Sequence, residues 1–237
     1  MISAAGFTVL LFHPASPMPA AVPSALLRRL LMGVAMGLTA IFNIYSPWGK
    51  RSGAHGNPAT TLTFSGLGKV SKADAAGYMT GQFVGALAGM AVATVVFGRW
   101  IGDPSVSYAV TLPGLWGAGA AFGAEVGISF LLMFTILGLV AHPRLSRVTG
   151  VVAGALVATF IALESPVSGM SMNPARTLGS AVLGHNYMAL WIYFVAPPLG
   201  MLTAAVVRVR LGHRTERHCA KLHHDPAVKC PFCGCGG

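Results

Sequence analysis

The chain has 237 residues, 54% of them apolar and only 9% charged, with a mean hydropathy of +0.67. A soluble domain carries about 25% charged residues, so this composition excludes an ordinary water-soluble globule and points to lipid as the solvent. The net charge of +10 gathers in a few connections and at the C-terminal end, which is the pattern of membrane topology, and no nucleic-acid partner is expected.

In chain order, the opening segment from Met1 to about Ser16 is apolar but falls short of the roughly 20 residues a span needs. It reads as a helix lacking its start. With no basic region before it and prolines after it, it does not read as a cleaved signal. Apolar runs that read as spans follow at Leu26–Tyr45, Ala75–Phe97, Trp116–Ala141, Val148–Leu163 and Met188–Val209; Val148–Leu163 is a little short but can cross without tilt. Pro197 and Pro198 interrupt the last, which a membrane helix tolerates when neighbours satisfy the freed carbonyls.

Two shorter pieces begin at Asn57 and Asn173 and run to about Gly66 and Leu183. A helix of about ten residues covers about 15 Å, half the hydrocarbon thickness. Asn is a favoured N-cap, and Pro at the first helical position loses no needed donor. One Asn-Pro is an ordinary turn. Two copies, Asn57-Pro58-Ala59 and Asn173-Pro174-Ala175, lying 116 residues apart, mark a duplicated unit. An odd number of spans per copy inverts the second, so the half-helices enter from opposite faces and meet at the midplane. The expected fold is an all-α membrane protein: six transmembrane helices, the first truncated, plus two half-helices. A channel domain over 1–211 would hold two repeats, about 1–98 and 115–211, followed by a basic Cys/His-rich tail over 212–237, expected to be disordered.

Charge sets the orientation. Lys50, Arg51, Lys69, Lys72, Arg144, Arg147, Arg208, Arg210, Arg214, Arg217, Lys221 and Lys229 fall in segments that this topology puts on one side. Only Arg28, Arg29, Arg99 and Arg176 fall elsewhere. Positive residues stay inside, so both termini are expected in the cytoplasm, with the chain integral to the plasma (inner) membrane.

The stretches Ser52-Gly53-Ala54-His55-Gly56-Asn57-Pro58-Ala59 and Met172-Asn173-Pro174-Ala175-Arg176-Thr177-Leu178-Gly179-Ser180-Ala181 resemble the major intrinsic protein family, the aquaporins and glycerol facilitators. The likeness covers about Ala4 to Arg210. It implies a homotetramer with one pore per protomer, conducting water and small neutral solutes such as glycerol, excluding protons and ions, without cofactor or covalent chemistry. Asn57 and Asn173 would donate to a passing oxygen, and the facing half-helix tips would carry partial positive charge. The resemblance maps the selectivity filter to Met36, Ile161, Met170 and Arg176. Water-selective members usually carry His where Ile161 stands and an aromatic where Met36 stands. Glycerol facilitators usually carry Trp, Gly and Phe at the three non-Arg positions and Asp where Thr177 stands. Tyr193-Phe194 resembles the aromatic pair of water channels. Family members also place Glu in the first and fourth helices to brace the half-helix loops. Glu125 fits the second role, and nothing fits the first.

The tail crowds His213, His218, Cys219, His223, His224, Cys230, Cys233 and Cys235 into one stretch. Cys230-x-x-Cys233-x-Cys235 has metal-ligand spacing suited to Zn²⁺ or Cu⁺, but a second well-spaced pair is absent, and no metal site is expected. The rival reading is a non-conducting membrane protein with a metal-binding regulatory tail. An ion-coupled transporter is disfavoured because Glu125 is the clear carboxylate within a span. No enzyme is expected, since the spans hold no convergent nucleophile, base and acid.

Overall fold

The computed structural model describes residues 1–142, 144–212, 219–223, 225 and 227–232. Ten α-helices occur among them: α1 (Ile2–Phe12), α2 (Met18–Ala21), α3 (Ala25–Tyr45), α4 (Pro47–Ser52), α5 (Pro58–Gly66), α6 (Lys72–Phe97), α7 (Gly117–Val140), α8 (Thr149–Ser168), α9 (Pro174–Leu183) and α10 (Leu190–Arg210). Five of these, α3, α6, α7, α8 and α10, are long and apolar enough to cross a membrane, and α1 is a shorter apolar helix.

Local chemistry sets the ends. Ser71 accepts from the Asp74 amide at 3.0 Å, and its hydroxyl donates to the Asp74 carboxylate at 2.7 Å. This cap starts α6 one turn before its apolar run, because a capped first turn can carry charge outside the hydrocarbon. Helix α8 runs five residues beyond Leu163, through Glu164 and Pro166, to Gly169 at φ +76°. Proline near a helix end removes one internal bond only, and glycine in the left-handed region ends the helix.

The surface inverts the pattern of a soluble protein. Leu38, Phe42, Val95 and Leu163 are exposed on the outside, while Thr61, Thr63, Glu125, Ser129 and Ser180 are fully or almost fully buried. Helix α3 packs along α8, and α7 along α10. Helix α1 lies on α3 and α6 as α7 lies on α8 and α10, and the α6–α9 contact is mirrored by α10–α5. This is the pairing of two repeats related by a two-fold.

The α3–α8 contact is close because both sides are small. A Cβ on Gly37 would lie 2.6 Å from the Gly154 carbonyl oxygen, and one on Gly33 would lie 2.4 Å from that of Ala158. Small residues let membrane helices approach at backbone distance. Replacing Gly37 with Leu is therefore expected to lower stability by about 1–3 kcal/mol or more, the usual range for overpacking. The measurement is the thermal midpoint in detergent, and an unchanged midpoint would show that the helices can separate without penalty.

The tail departs from expectation. Ala220, Lys221, Leu222 and Cys230 are buried, and the described part of the tail packs on the body rather than standing away from it. Cys233 and Cys235, with His213, His218 and His224, lie outside the described residues. Among the described residues no group of three His, Cys, Asp or Glu could hold a metal ion.

Candidate functional site

The two half-helices, α5 and α9, begin in the same way. Asn57 caps α5 through Oδ1, which accepts from the Ala59 amide at 2.9 Å. Asn173 caps α9, accepting from the amides of Ala175 at 3.1 Å and Arg176 at 3.2 Å. Pro58 and Pro174 occupy the first helical position. The loops ahead of them match as well. Four and three residues before each Asn, Gly53 and Ala54 have φ +80° and +62°, and Gly169 and Met170 have φ +76° and +49°. Met172 adds another positive φ at +53°. Left-handed backbone costs a non-glycine residue roughly 1–2 kcal/mol, and such strain persists where surrounding contacts over-determine the loop.

The N-termini of α5 and α9 meet through a reciprocal pair of bonds. Asn57 Nδ2 donates to the Met172 carbonyl at 2.6 Å, and Asn173 Nδ2 donates to the Gly56 carbonyl at 2.8 Å. Each amide thus spends one N–H on the opposite loop and keeps one for another acceptor.

Each loop is braced from a neighbouring helix. Fully buried Glu125 on α7 accepts from Ser168 Oγ at 2.9 Å, the Ser171 amide at 2.6 Å and the Met172 amide at 2.8 Å. Tyr193 on α10 donates to the Ser168 carbonyl at 2.5 Å. Ser171 Oγ donates to the Asn173 carbonyl and also meets Thr177 Oγ1. On the other side an amide does the corresponding work: Gln82 Nε2 on α6 donates to the His55 carbonyl at 2.5 Å and to Thr61 Oγ1 at 2.9 Å. Gln82, Ser168 and Ser171 lie in no motif, and for Gln82 a lone amide within apolar α6 was the available sequence signal. Tyr193 stood out in the Tyr193-Phe194 likeness, but not as a brace for the loop.

A cavity of about 450 Å³ runs beside these tips. Its lining includes Asn57, Asn173 and Arg176, together with Met36, Ile161 and Met170. The four residues expected at the filter therefore share one space. Pro58, Ala59, Pro174 and Ala175 are buried behind it, in the first turns of the half-helices. Arg176 Nη1 is buried with no hydrogen-bond partner among the described residues, so a donor remains for whatever enters. At one end the wall includes Phe12 and Arg29, and at the other Ile44, Ile136 and Leu222. Leu222 was not foreseen, because it comes from the tail.

The family model described as Major intrinsic protein matches residues 5–208. The chain belongs to this family. It is an integral membrane protein with the aquaporin fold. It is 35% identical over 175 residues to a protein described as a probable aquaporin NIP-type from Nicotiana alata, covering 73% of this chain and 63% of that protein. It is 35% identical over 191 residues to Aquaporin NIP1-4 from Oryza sativa subsp. japonica, covering 78% and 67%. The chain thus spans about two thirds or less of the length of these relatives, 63% and 67%. An X-ray structure of the aquaglyceroporin from Plasmodium falciparum superposes with a TM-score of 0.68 at 17% identity, covering 87% of this chain and 89% of that one. At that identity the likeness speaks for the fold.

Proposed function

We propose that this chain is a passive pore for water and small neutral solutes such as glycerol, excluding protons and ions. The observation that carries the reading is a cavity lined by both N-cap asparagines and by Arg176. Helix N-termini each carry about half a positive charge, and two of them face this space with a guanidinium beside them. Cations meet three positive sources there, while a neutral solute finds N–H donors. One free N–H on each of Asn57 and Asn173 gives a passing water two donors and no acceptor in line, which interrupts a proton-conducting chain.

In this reading Met36, Ile161, Met170 and Arg176 form the constriction, and Glu125 holds the second loop in shape. The pore domain is 1–211, with repeats of about 1–98 and 115–211. Both termini face the cytoplasm of a plasma-membrane protein. Tyr45 OH donates to the Arg147 carbonyl at 2.7 Å, and Arg208 donates to the Phe134 carbonyl. The ends of α3, α7 and α10 thus lie on one side, with Lys50, Arg51, Arg147 and Arg210, and the positive-inside rule orients that side inward. A homotetramer is supported by the glycine rows Gly77, Gly81 and Gly85 on α6 and Gly119, Gly123 and Gly127 on α7. A Cβ at any of these would meet nothing within 4 Å, and small-residue rows of this kind suit helix–helix contact between protomers.

The test is osmotic swelling and shrinking of vesicles holding the purified protein, with water, glycerol and urea in turn. Wild type is expected to exceed empty vesicles for water and for at least one of the solutes. Ile161→His places a bulky polar ring in an apolar wall and is expected to lower glycerol flux several-fold more than water flux, since steric and desolvation terms grow with solute size. Permeability no greater than that of empty vesicles would refute the pore. An Ile161→His variant with the wild-type ratio would remove Ile161 from the constriction.

A further inference from the structure

The described part of the tail reaches one mouth of the cavity as a strap. Leu222 lines the cavity wall, and its amide donates to the Gly53 carbonyl at 3.1 Å. His55 Nε2 lies 2.6 Å from the Ala220 carbonyl oxygen. A carbonyl only accepts, so Nε2 carries the proton, and Nδ1 is left to accept from Thr61 Oγ1 at 3.3 Å. The Phe232 ring stacks on His55 at 5.3 Å between centroids and tilts against Tyr78 at 5.7 Å. Asp225 pairs with Lys50 at 3.0 Å, a contact that holds its carboxyl below the usual carboxylate range. All these anchors on the body lie in or beside the loop that leads into Asn57. The strap therefore rests on an element of the pore itself.

Within the strap the two ends come together at sulfur. Cys219 Sγ and Cys230 Sγ are 2.9 Å apart. Cys230 is buried, and Cys219 is partly exposed, so a small oxidant can reach one member of the pair. Between them in the chain lie Ala220, Leu222 and Asp225, which hold to the body there. We propose that Cys219 and Cys230 form a thiol–disulfide site that fastens the strap over this mouth and so turns the pore down under oxidation.

The chemistry balances with a peroxide as oxidant. One thiol, ionised, attacks the peroxide oxygen; the O–O bond breaks, a sulfenic acid forms, and hydroxide leaves and is protonated to water. The second thiol attacks the sulfenic sulfur, the S–S bond forms and a second water departs. The two sulfurs lose two electrons and the peroxide gains them. Burial pushes the Cys219 thiol up to about 12, so little thiolate is present at neutral pH, and closure is expected to speed up as pH rises. A disulfide on the cytoplasmic side is a transient, redox-sensing device rather than a structural staple. The proposal rests on the pore reading and on the placement of the termini given above.

The experiment uses the full chain in vesicles, with a metal chelator present throughout. Water permeability is measured after treatment with hydrogen peroxide and again after a thiol reductant, and cysteine-linked peptides are mapped by mass spectrometry. Closing the loop removes conformations in which the strap is off the mouth, so permeability is expected to fall roughly tenfold on oxidation and to recover on reduction. The Cys219–Cys230 peptide should appear in step. Cys219→Ser with Cys230→Ser should hold the reduced wild-type rate in both conditions. Deleting residues 213–237 should raise the rate and abolish the response. A Cys230–Cys233 linkage in place of Cys219–Cys230 would overturn the proposal. So would equal permeability in the two redox states of a conducting wild type, or a response in the double variant. If removing the chelator lowers permeability with no linked peptide, the cysteines serve a metal instead and the proposal fails. The pore reading is judged separately: it falls if the deletion and the reduced protein are both no more permeable than empty vesicles, while the linked peptide still decides whether the thiol site exists.

Discussion

Replacing Glu125 with Ala is expected to cost about 3–6 kcal/mol and to bring permeability down to the level of empty vesicles. The residue is fully buried, and its carboxylate takes the Ser171 and Met172 amides and the Ser168 hydroxyl. In a water-free interior each orphaned donor costs about 1–3 kcal/mol, and a cavity adds to that. Those amides also hold Met170 and Met172 at φ +49° and +53°. Released, these residues relax toward ordinary backbone, and the wall beside Asn173 changes shape. Glu125→Gln should fall between, because its amide offers one acceptor oxygen and turns an N–H₂ toward a donor. Thermal midpoints in detergent and vesicle swelling read both effects. A Glu125→Ala protein with wild-type midpoint and flux would mean that water takes over the three bonds.

Removing the charge of Arg176 should admit ions. A unit charge acting at 4 Å with an effective dielectric of about 20 is worth about 4 kcal/mol, a factor on the order of 10²–10³ in cation entry. The two half-helix tips together supply about one further positive charge, so Arg176→Ala is expected to leak protons and sodium without becoming an open ion pore. Glycerol flux should rise a few-fold as the constriction widens. Vesicles loaded with a pH-sensitive dye measure the proton leak, and a swelling assay measures glycerol. No leak and no gain in glycerol flux would show that the half-helix dipoles carry the exclusion alone.

Much of this fold is legible in the sequence because its rules are local. A span is a run of apolar residues, and five such runs became five long helices within a few residues of their expected ends. The half-helices at Pro58 and Pro174 were readable because an Asn cap and a following Pro act within three residues of themselves. Repetition of that signal at Asn57 and Asn173 identified the duplication. Helix ends set by polar contacts, such as the Ser71 cap and the passage of α8 through Pro166, were less legible, since hydropathy alone stops at the first charge or proline.

Other features required the folded chain. Glu125 was visible as a carboxylate with a task, but its bonds to Ser168, Ser171 and Met172 join residues more than 40 positions apart. Gln82, which holds the other loop, had no motif at all. The reciprocal bonds from Asn57 to Met172 and from Asn173 to Gly56, and the docking of Ala220 and Leu222 on the loop at Gly53 and His55, join still more distant residues. Composition and short-range caps determine that this chain spans a membrane twice over in inverted copies. What satisfies each polar group in the dry interior depends on which neighbour arrives there, and only the tertiary structure decides it.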